Sequence, residues 1–136
     1  LIDELIDYVK EARRPGTSAA DDLLLKDELA ALVVENEVLR SMCYRIAWMY
    51  TKGQHPSYES SMSLLFASDL LRHIAKVGMR VLGPYGELGQ DSKLAVAKAR
   101  MMRTYLSCLS IGVGGGTNEI QKNIVAMRGL GLPRQQ

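Results

Sequence analysis

The sequence is short of cysteine, of charge of one sign and of long apolar runs, and each shortage excludes something. Cys43 and Cys108 are its two thiols in 136 residues. Neither belongs to a Cys-x-x-Cys pair, so no disulfide framework is implied, and two isolated thiols suit the buried cysteines of a reducing compartment. His55 and His73 stand equally alone, which removes the usual soft ligands of a metal site. In the first half the longest unbroken apolar run is Leu29 to Val34, far short of the roughly 20 residues of a membrane-spanning helix. The 17 Lys and Arg against 15 Asp and Glu leave a net charge of +2, too small for the electrostatic footprint of a nucleic-acid binder. What is present is ordinary: 47% hydrophobic and 24% charged residues, a balance that can bury a core without staples. The expectation is a soluble, cytoplasmic, metal-free domain that spans no membrane and binds no nucleic acid.

The chain begins in the middle of a pattern. Leu1, Leu5 and Val9 lie on one helical stripe with Ile2 and Ile6 beside it, and Asp3, Glu4, Asp7 and Lys10 opposite. No capping Ser, Thr, Asp or Asn precedes Leu1, and Asp3 and Glu4 are incompatible with a signal peptide. Residues 1–136 are therefore expected to form a single domain, a fragment of a longer protein.

Glycine and proline punctuate the rest. Pro15-Gly16 closes the first helix, and no Gly or Pro occurs from Thr17 to Lys52. Asp21 and Asp22 suit a helix amino terminus. Leu25, Leu29, Leu32, Asn36, Leu39, Cys43, Ile46 and Tyr50 then recur at alternating spacings of four and three, a coiled-coil-like seam with Asn36 as its polar member. A third helix is expected from a Ser57 cap to about Leu82, on Met62, Leu65, Phe66, Leu70, Ile74, Val77 and Val81. Gly78 inside it suggests close approach of another helix. Gly83-Pro84-Tyr85-Gly86 is a stop. Asp91 or Ser92 is expected to open a fourth helix to about Leu109, with Leu94, Ala97, Met101, Tyr105 and Cys108 in a row. After the run Gly112 to Thr117 comes a last helix on Ile120, Ile124 and Met127, ended by Gly129 and Gly131. No strand period occurs. The expected fold is all-α: a four-helix up-and-down bundle with an additional short carboxy-terminal helix.

The glycine run is the most informative feature. Gly114-Gly115-Gly116-Thr117 before a helix lets backbone N–H groups approach an anion, and the helix dipole favours one. It is neither a P-loop nor a Rossmann fingerprint, so the pattern leaves open a plain helix-to-helix turn and a phosphate or cofactor contact. Gly83-Pro84 carries the same two readings. Arg13 and Arg14 could bind phosphate or simply complement a helix end. The methionines read as adaptable core, His73 as part of a solvated helix face, and Asn36 as a register-setting group. The loop itself offers no acid, base or nucleophile before Glu119.

The stretch Gly115-Gly116-Thr117-Asn118-Glu119-Ile120-Gln121, followed by Met127-Arg128-Gly129-Leu130-Gly131-Leu132-Pro133-Arg134, resembles the carboxy-terminal signature of the acyl-CoA dehydrogenases. Upstream, Tyr8 to Gly16 resembles the family's segment between its first two bundle helices. Ala67-Ser68-Asp69 and Val81-Leu82-Gly83-Pro84-Tyr85-Gly86 resemble its third helix and the loop after it. The overall character is similar to bacterial members that act on branched, steroid-derived or other bulky acyl-CoA thioesters.

That resemblance implies a longer, three-domain enzyme containing FAD, which dehydrogenates an acyl-CoA substrate at its α,β bond and forms a homo- or hetero-oligomer through this bundle. It implies cofactor contacts from Gly116, Thr117 and Glu119, and, from a neighbouring subunit, from Arg80, Gly83 and Pro84. It also implies an arginine near the first turn, taken as Arg13, although the family's Arg-x-x-Phe-Gly stands here as Arg13-Arg14-Pro15-Gly16. Many members carry their catalytic Glu at the position of Gly115. The base is therefore expected upstream of Leu1. The alternative is a non-catalytic helical module, such as a base-lacking partner in a heteromeric dehydrogenase.

Overall fold

The computed structural model describes residues 1–11, 22–111 and 116–134. Those residues form five helices and no strand: α1 (Ile2–Glu11), α2 (Leu23–Thr51), α3 (Tyr58–Leu82), α4 (Arg100–Ile111) and α5 (Asn118–Ile124). The expected four-helix bundle with a short terminal helix is what forms. Arg13, Arg14 and the Pro15-Gly16 break lie outside the described residues, as do Asp21 and Gly112 to Gly115.

Sequence explains most of these boundaries. The Asp22 carboxylate accepts from the N–H groups of Leu24 and Leu25 at 3.0 and 3.2 Å, satisfying two donors that the first turn of α2 leaves unpaired. α2 then runs 29 residues to Thr51. Gly83, at φ 55°, ends α3 and donates its N–H to the carbonyls of Met79 and Arg80. Pro84 follows in a 3-10 turn, Gly83–Glu87.

α3 is the axis of the molecule, because each of the other helices packs on it. Its orientation can be read from paired residues. Glu28 of α2 contacts Arg80 of α3, and Glu35 contacts His73. One number rises by seven as the other falls by seven, so α2 and α3 are antiparallel. Gly78 lies against Met101, and Cys108 feels the charge of Arg72, so α4 is antiparallel to α3 as well. The core comprises Ile2, Leu5 and Val9 of α1, Leu29 and Leu32 of α2, Leu70, Ile74, Val77, Val81 and Leu82 of α3, and Met101.

Four local expectations are corrected. The α2 seam holds in part: Leu25, Leu29, Leu32, Leu39 and Ile46 are buried or half-buried, but Asn36, Cys43 and Tyr50 are exposed, and Glu28 and Glu35 beside the seam reach α3. Ser57 occupies the cap position of α3 without a side-chain capping bond. Its hydroxyl accepts from the Arg128 guanidinium at 3.0 Å, while its N–H donates to Glu59 at 3.2 Å. The fourth helix begins at Arg100 and not at Asp91 or Ser92. Ser92 only closes a turn, with Leu94 N–H on its hydroxyl, and Ala97, Lys98 and Ala99 all have positive φ, which no right-handed helix accommodates. On that helix Met101 and Cys108 are buried, whereas Tyr105 on it and Leu94 before it are exposed. In the terminal helix Gln121 is the buried residue and Ile120 points outward. Beyond Ile124 the chain widens into a π turn, Val125–Gly129, whose Leu130 N–H donates to the Val125 carbonyl.

Candidate functional site: two clusters at opposite ends of α3

The residues expected to hold a cofactor fall into two groups. The first gathers where α3 ends. Arg80, Gly83 and Pro84, with Met79 and Glu87, line an open cavity of about 410 Å³. Gly83 is in the left-handed region, and its ψ of −137° is a conformation glycine adopts far more readily than any residue with a Cβ. Gly86 is buried beneath Leu82 and Met79, which fixes the turn against α3. Arg80 is exposed and ion-paired with Glu28 of α2. Such a pair is solvent-screened and contributes little to stability, so the guanidinium is held in place but remains open to an anion on its free side.

The second group opens α5. Gly116 has φ +100°, and a Cβ there would stand 2.9 Å from the Gln121 amide nitrogen. Thr117 caps α5, its hydroxyl accepting from the Ile120 N–H at 3.4 Å. The Glu119 backbone N–H and the Thr117 hydroxyl hold the Glu119 carboxyl below the usual carboxylate range. That end of the helix thus presents a glycine whose backbone angle disfavours any side chain, a hydroxyl and an ionised carboxylate.

The two groups do not meet within this chain. Lys122, Val125 and Ala126 of the α5 segment share an apolar groove with Met62, Leu65, Phe66 and Asp69, in the first half of α3. Arg80 lies eleven residues beyond Asp69, about 16 Å along the helix at 1.5 Å per residue. Arg13 and Gly115 lie outside the described residues.

Other polar groups escaped sequence reasoning. His73 is not simply solvated: its Nδ1 is 3.1 Å from the Glu35 carboxylate, and both are partly buried. Glu28 and Glu35 lie beside the apolar seam, and nothing in the α2 sequence marks them as partners of α3. A separate cavity of about 710 Å³ lies between α1, α2 and α3, with Leu39, Leu70 and Ile74 on its floor and Asp3, Glu37, Arg40 and Arg100 around it. None of the expected cofactor residues lines it. Among the described residues no cluster of three or more His, Cys, Asp or Glu could hold a metal ion, and no helix is long and apolar enough to cross a membrane.

Comparison with known proteins gives a consistent picture. The model of the acyl-CoA dehydrogenase carboxy-terminal domain matches residues 1–130. Acyl-CoA dehydrogenase FadE26 of Mycobacterium tuberculosis is 34% identical over 122 residues, which is 88% of this chain and 30% of that protein. Acyl-CoA dehydrogenase IpdE1 of the same organism is 33% identical over 132 residues, 97% of this chain and 32% of that one. The chain therefore spans about a third of the length of these relatives. Among solved structures, a chain of the ChsE4-ChsE5 complex from M. tuberculosis superposes with a TM-score of 0.89 at 29% identity, over 98% of this chain and 35% of that one. The glutaryl-coenzyme A dehydrogenase glutaryl-CoA complex gives 0.80 at 26% identity, over 97% and 32%. A glycine-opened α5, the bundle it packs on and a match over nearly the whole sequence lead to one conclusion: the chain belongs to the acyl-CoA dehydrogenase family, as its carboxy-terminal domain.

Proposed function

We propose that this chain is one domain of a longer, three-domain FAD-dependent acyl-CoA dehydrogenase, in which it supplies cofactor and subunit contacts while the catalytic base lies upstream of Leu1. The observation that carries this reading is the separation of the two clusters. About 16 Å of α3 lies between them, so they suit different parts of an extended dinucleotide, or of two such ligands shared between two copies of the domain. The residues present suit FAD. The absence of a Cβ at Gly116 and the Thr117 hydroxyl allow close approach at the opening of α5. Arg80, beside the Gly83-Pro84 turn, offers a guanidinium to a phosphate. Arg13 would add a second. When bound, FAD would supply the acceptor for the β-hydride of an acyl-CoA thioester whose α-proton a base removes.

Within that division of labour Glu119 is a positioning group. It stays ionised and orients the Thr117 hydroxyl, so Glu119→Gln should weaken flavin retention without abolishing turnover. The complete gene product should carry bound FAD, seen in its visible absorbance, and reduce a dye in the presence of acyl-CoA. Absence of both rejects the proposal.

A second reading is a base-lacking partner in a heteromeric dehydrogenase. It is favoured by Gly115, which stands where many family members carry Glu, and by the two-component nature of the ChsE4-ChsE5 neighbour. Acyl-CoA-dependent flavin bleaching by the wild-type protein alone excludes it. Activity confined to a mixture with a co-encoded homologue supports a heteromer, and Gly115→Glu is then the change that could create activity in the isolated subunit.

A further inference from the structure

We infer that Arg128 is a positioning residue for the cofactor contact at Gly116 and Thr117, acting from a distance through Ser57 at the start of α3. The inference rests on the proposed flavin role of those two residues and deepens it. α5 cannot fix its own position. It is seven residues long, Asn118–Ile124, and helices shorter than about 12 residues are marginal without tertiary support. Its buried residue is Gln121, and between its far end and the first half of α3 an apolar groove of about 440 Å³ stays open. The angle at which α5 presents Gly116 and Thr117 must therefore be set by contacts beyond it.

The π turn that follows makes those contacts. Val125–Gly129 is closed by the Leu130 and Leu132 N–H groups, which donate to the Val125 and Ala126 carbonyls at 3.2 and 3.0 Å. Turns of this type often mark functional sites. Two successive residues of the turn grip two successive residues at the start of α3. The Arg128 guanidinium donates to the Ser57 hydroxyl at 3.0 Å. Gly129 lies so close to the Tyr58 ring that a Cβ would stand 3.1 Å from two of its carbons.

Ser57 is committed to this clamp. It stands where a capping hydroxyl belongs, yet its φ of −115° and ψ of −81° depart from the extended cap conformation, and its side chain makes no capping bond. The Glu59 carboxylate accepts the Ser57 N–H instead, at 3.2 Å. That leaves the hydroxyl to accept from Arg128. The clamp also works as a lever. Arg128 stands eleven residues beyond Thr117, roughly 16 Å along the segment at 1.5 Å per residue. A tilt of about 10° at the clamp would carry the opening of α5 by roughly 3 Å. A binding constellation tolerates only about 0.5 Å.

The complete gene product, stripped of flavin and titrated with FAD, tests the inference. Arg128→Ala and Ser57→Ala should each raise the Kd for FAD about five- to tenfold. The double variant should be no worse than either single, because both remove one interaction. Arg128→Lys keeps a cationic donor and should recover most of the loss. In the flavin-free protein, Arg128→Ala and Ser57→Ala should speed amide hydrogen exchange across 118–129 and leave 70–82 of α3 unchanged, a local effect that general destabilisation does not produce. Unchanged FAD affinity where the wild type binds FAD, additive single effects, or exchange that rises equally in α3 would overturn it. A wild-type protein that binds no FAD removes the cofactor reading instead. Exchange across 118–129 then decides whether Arg128 seats α5: faster in Arg128→Ala supports the clamp, and unchanged rejects it.

Discussion

At Gly78 a methyl group would sit 2.4 Å from the Met101 sulfur, so the position is occupied by a neighbour's side chain. Gly78→Ala gains about 1 kcal/mol in helix propensity and loses about 1–3 kcal/mol to overpacking. Met101 is flexible enough to yield part of that, so a net loss of about 1 kcal/mol is expected, read as a lower urea midpoint. The two thiols should behave oppositely. Cys43 is exposed and Cys108 buried, so a thiol reagent should label Cys43 quickly and Cys108 only on unfolding. Burial pushes the Cys108 thiol up; the folded thiol therefore ionises at higher pH than the unfolded one. Its stabilising contribution is complete below the ordinary thiol range and is lost as pH rises through it. Stability should accordingly fall at alkaline pH, and Cys108→Ser should flatten that fall. Residues that must be glycine were the easiest to find from sequence, since the left-handed angles of Gly83 and Gly116 belong to residue types that announce turns. The pairing of Arg80 with Glu28 could not be found that way, because it requires the register of α2 against α3.

Most helix lengths were legible; the length of α4 and one face of α2 were not. Two heptads share Leu25, Leu32, Leu39 and Ile46; one continues through Leu29 and Asn36, the other through Glu28 and Glu35. The α2 sequence favours the first because it contains fewer charges. The fold uses parts of both: Leu29 is buried and Asn36 exposed, while Glu28 and Glu35 reach Arg80 and His73 of α3, and nothing within α2 reports that. The start of the helix was legible, and Asp22→Ala should cost about 1 kcal/mol, measured by chemical denaturation. The start of α4 was not. Ala97, Lys98 and Ala99 have φ of 46°, 52° and 54°, a conformation costing about 1–2 kcal/mol per non-glycine residue. It persists because its flanks are anchored: Val96 packs on the core and Ala99 is buried, as is Met101. Exchanging Ala97 for glycine should relieve strain at one of these positions and raise the urea midpoint by the equivalent of about 0.5–1 kcal/mol, after the greater backbone freedom of glycine in the unfolded chain is deducted.

All of the molecule's helices depend on one of their number. α1, α2, α4 and α5 each rest on α3, as do the turn after it and the π turn near the carboxy terminus, and even the Ser57 hydroxyl at its start is held by Arg128 from the far end of the chain. A helix-breaking substitution on the buried side of α3 should therefore unfold everything together: Ala75→Pro, at a residue with no exposed surface, should leave no cooperative transition in the far-ultraviolet circular dichroism. The same dependence has a consequence during synthesis. α3 is third in order, and its last residue, Leu82, is made 31 residues after the end of α2 at Thr51. At about 5–20 residues per second the end of α3 leaves the ribosome roughly 2–6 s after the end of α2, and for that time α2 lacks the helix it packs on. A nascent chain in that interval is a natural client for a holding chaperone. Slowing translation over the stretch that brings α3 out of the ribosome should raise the insoluble fraction, even though the finished protein is unchanged.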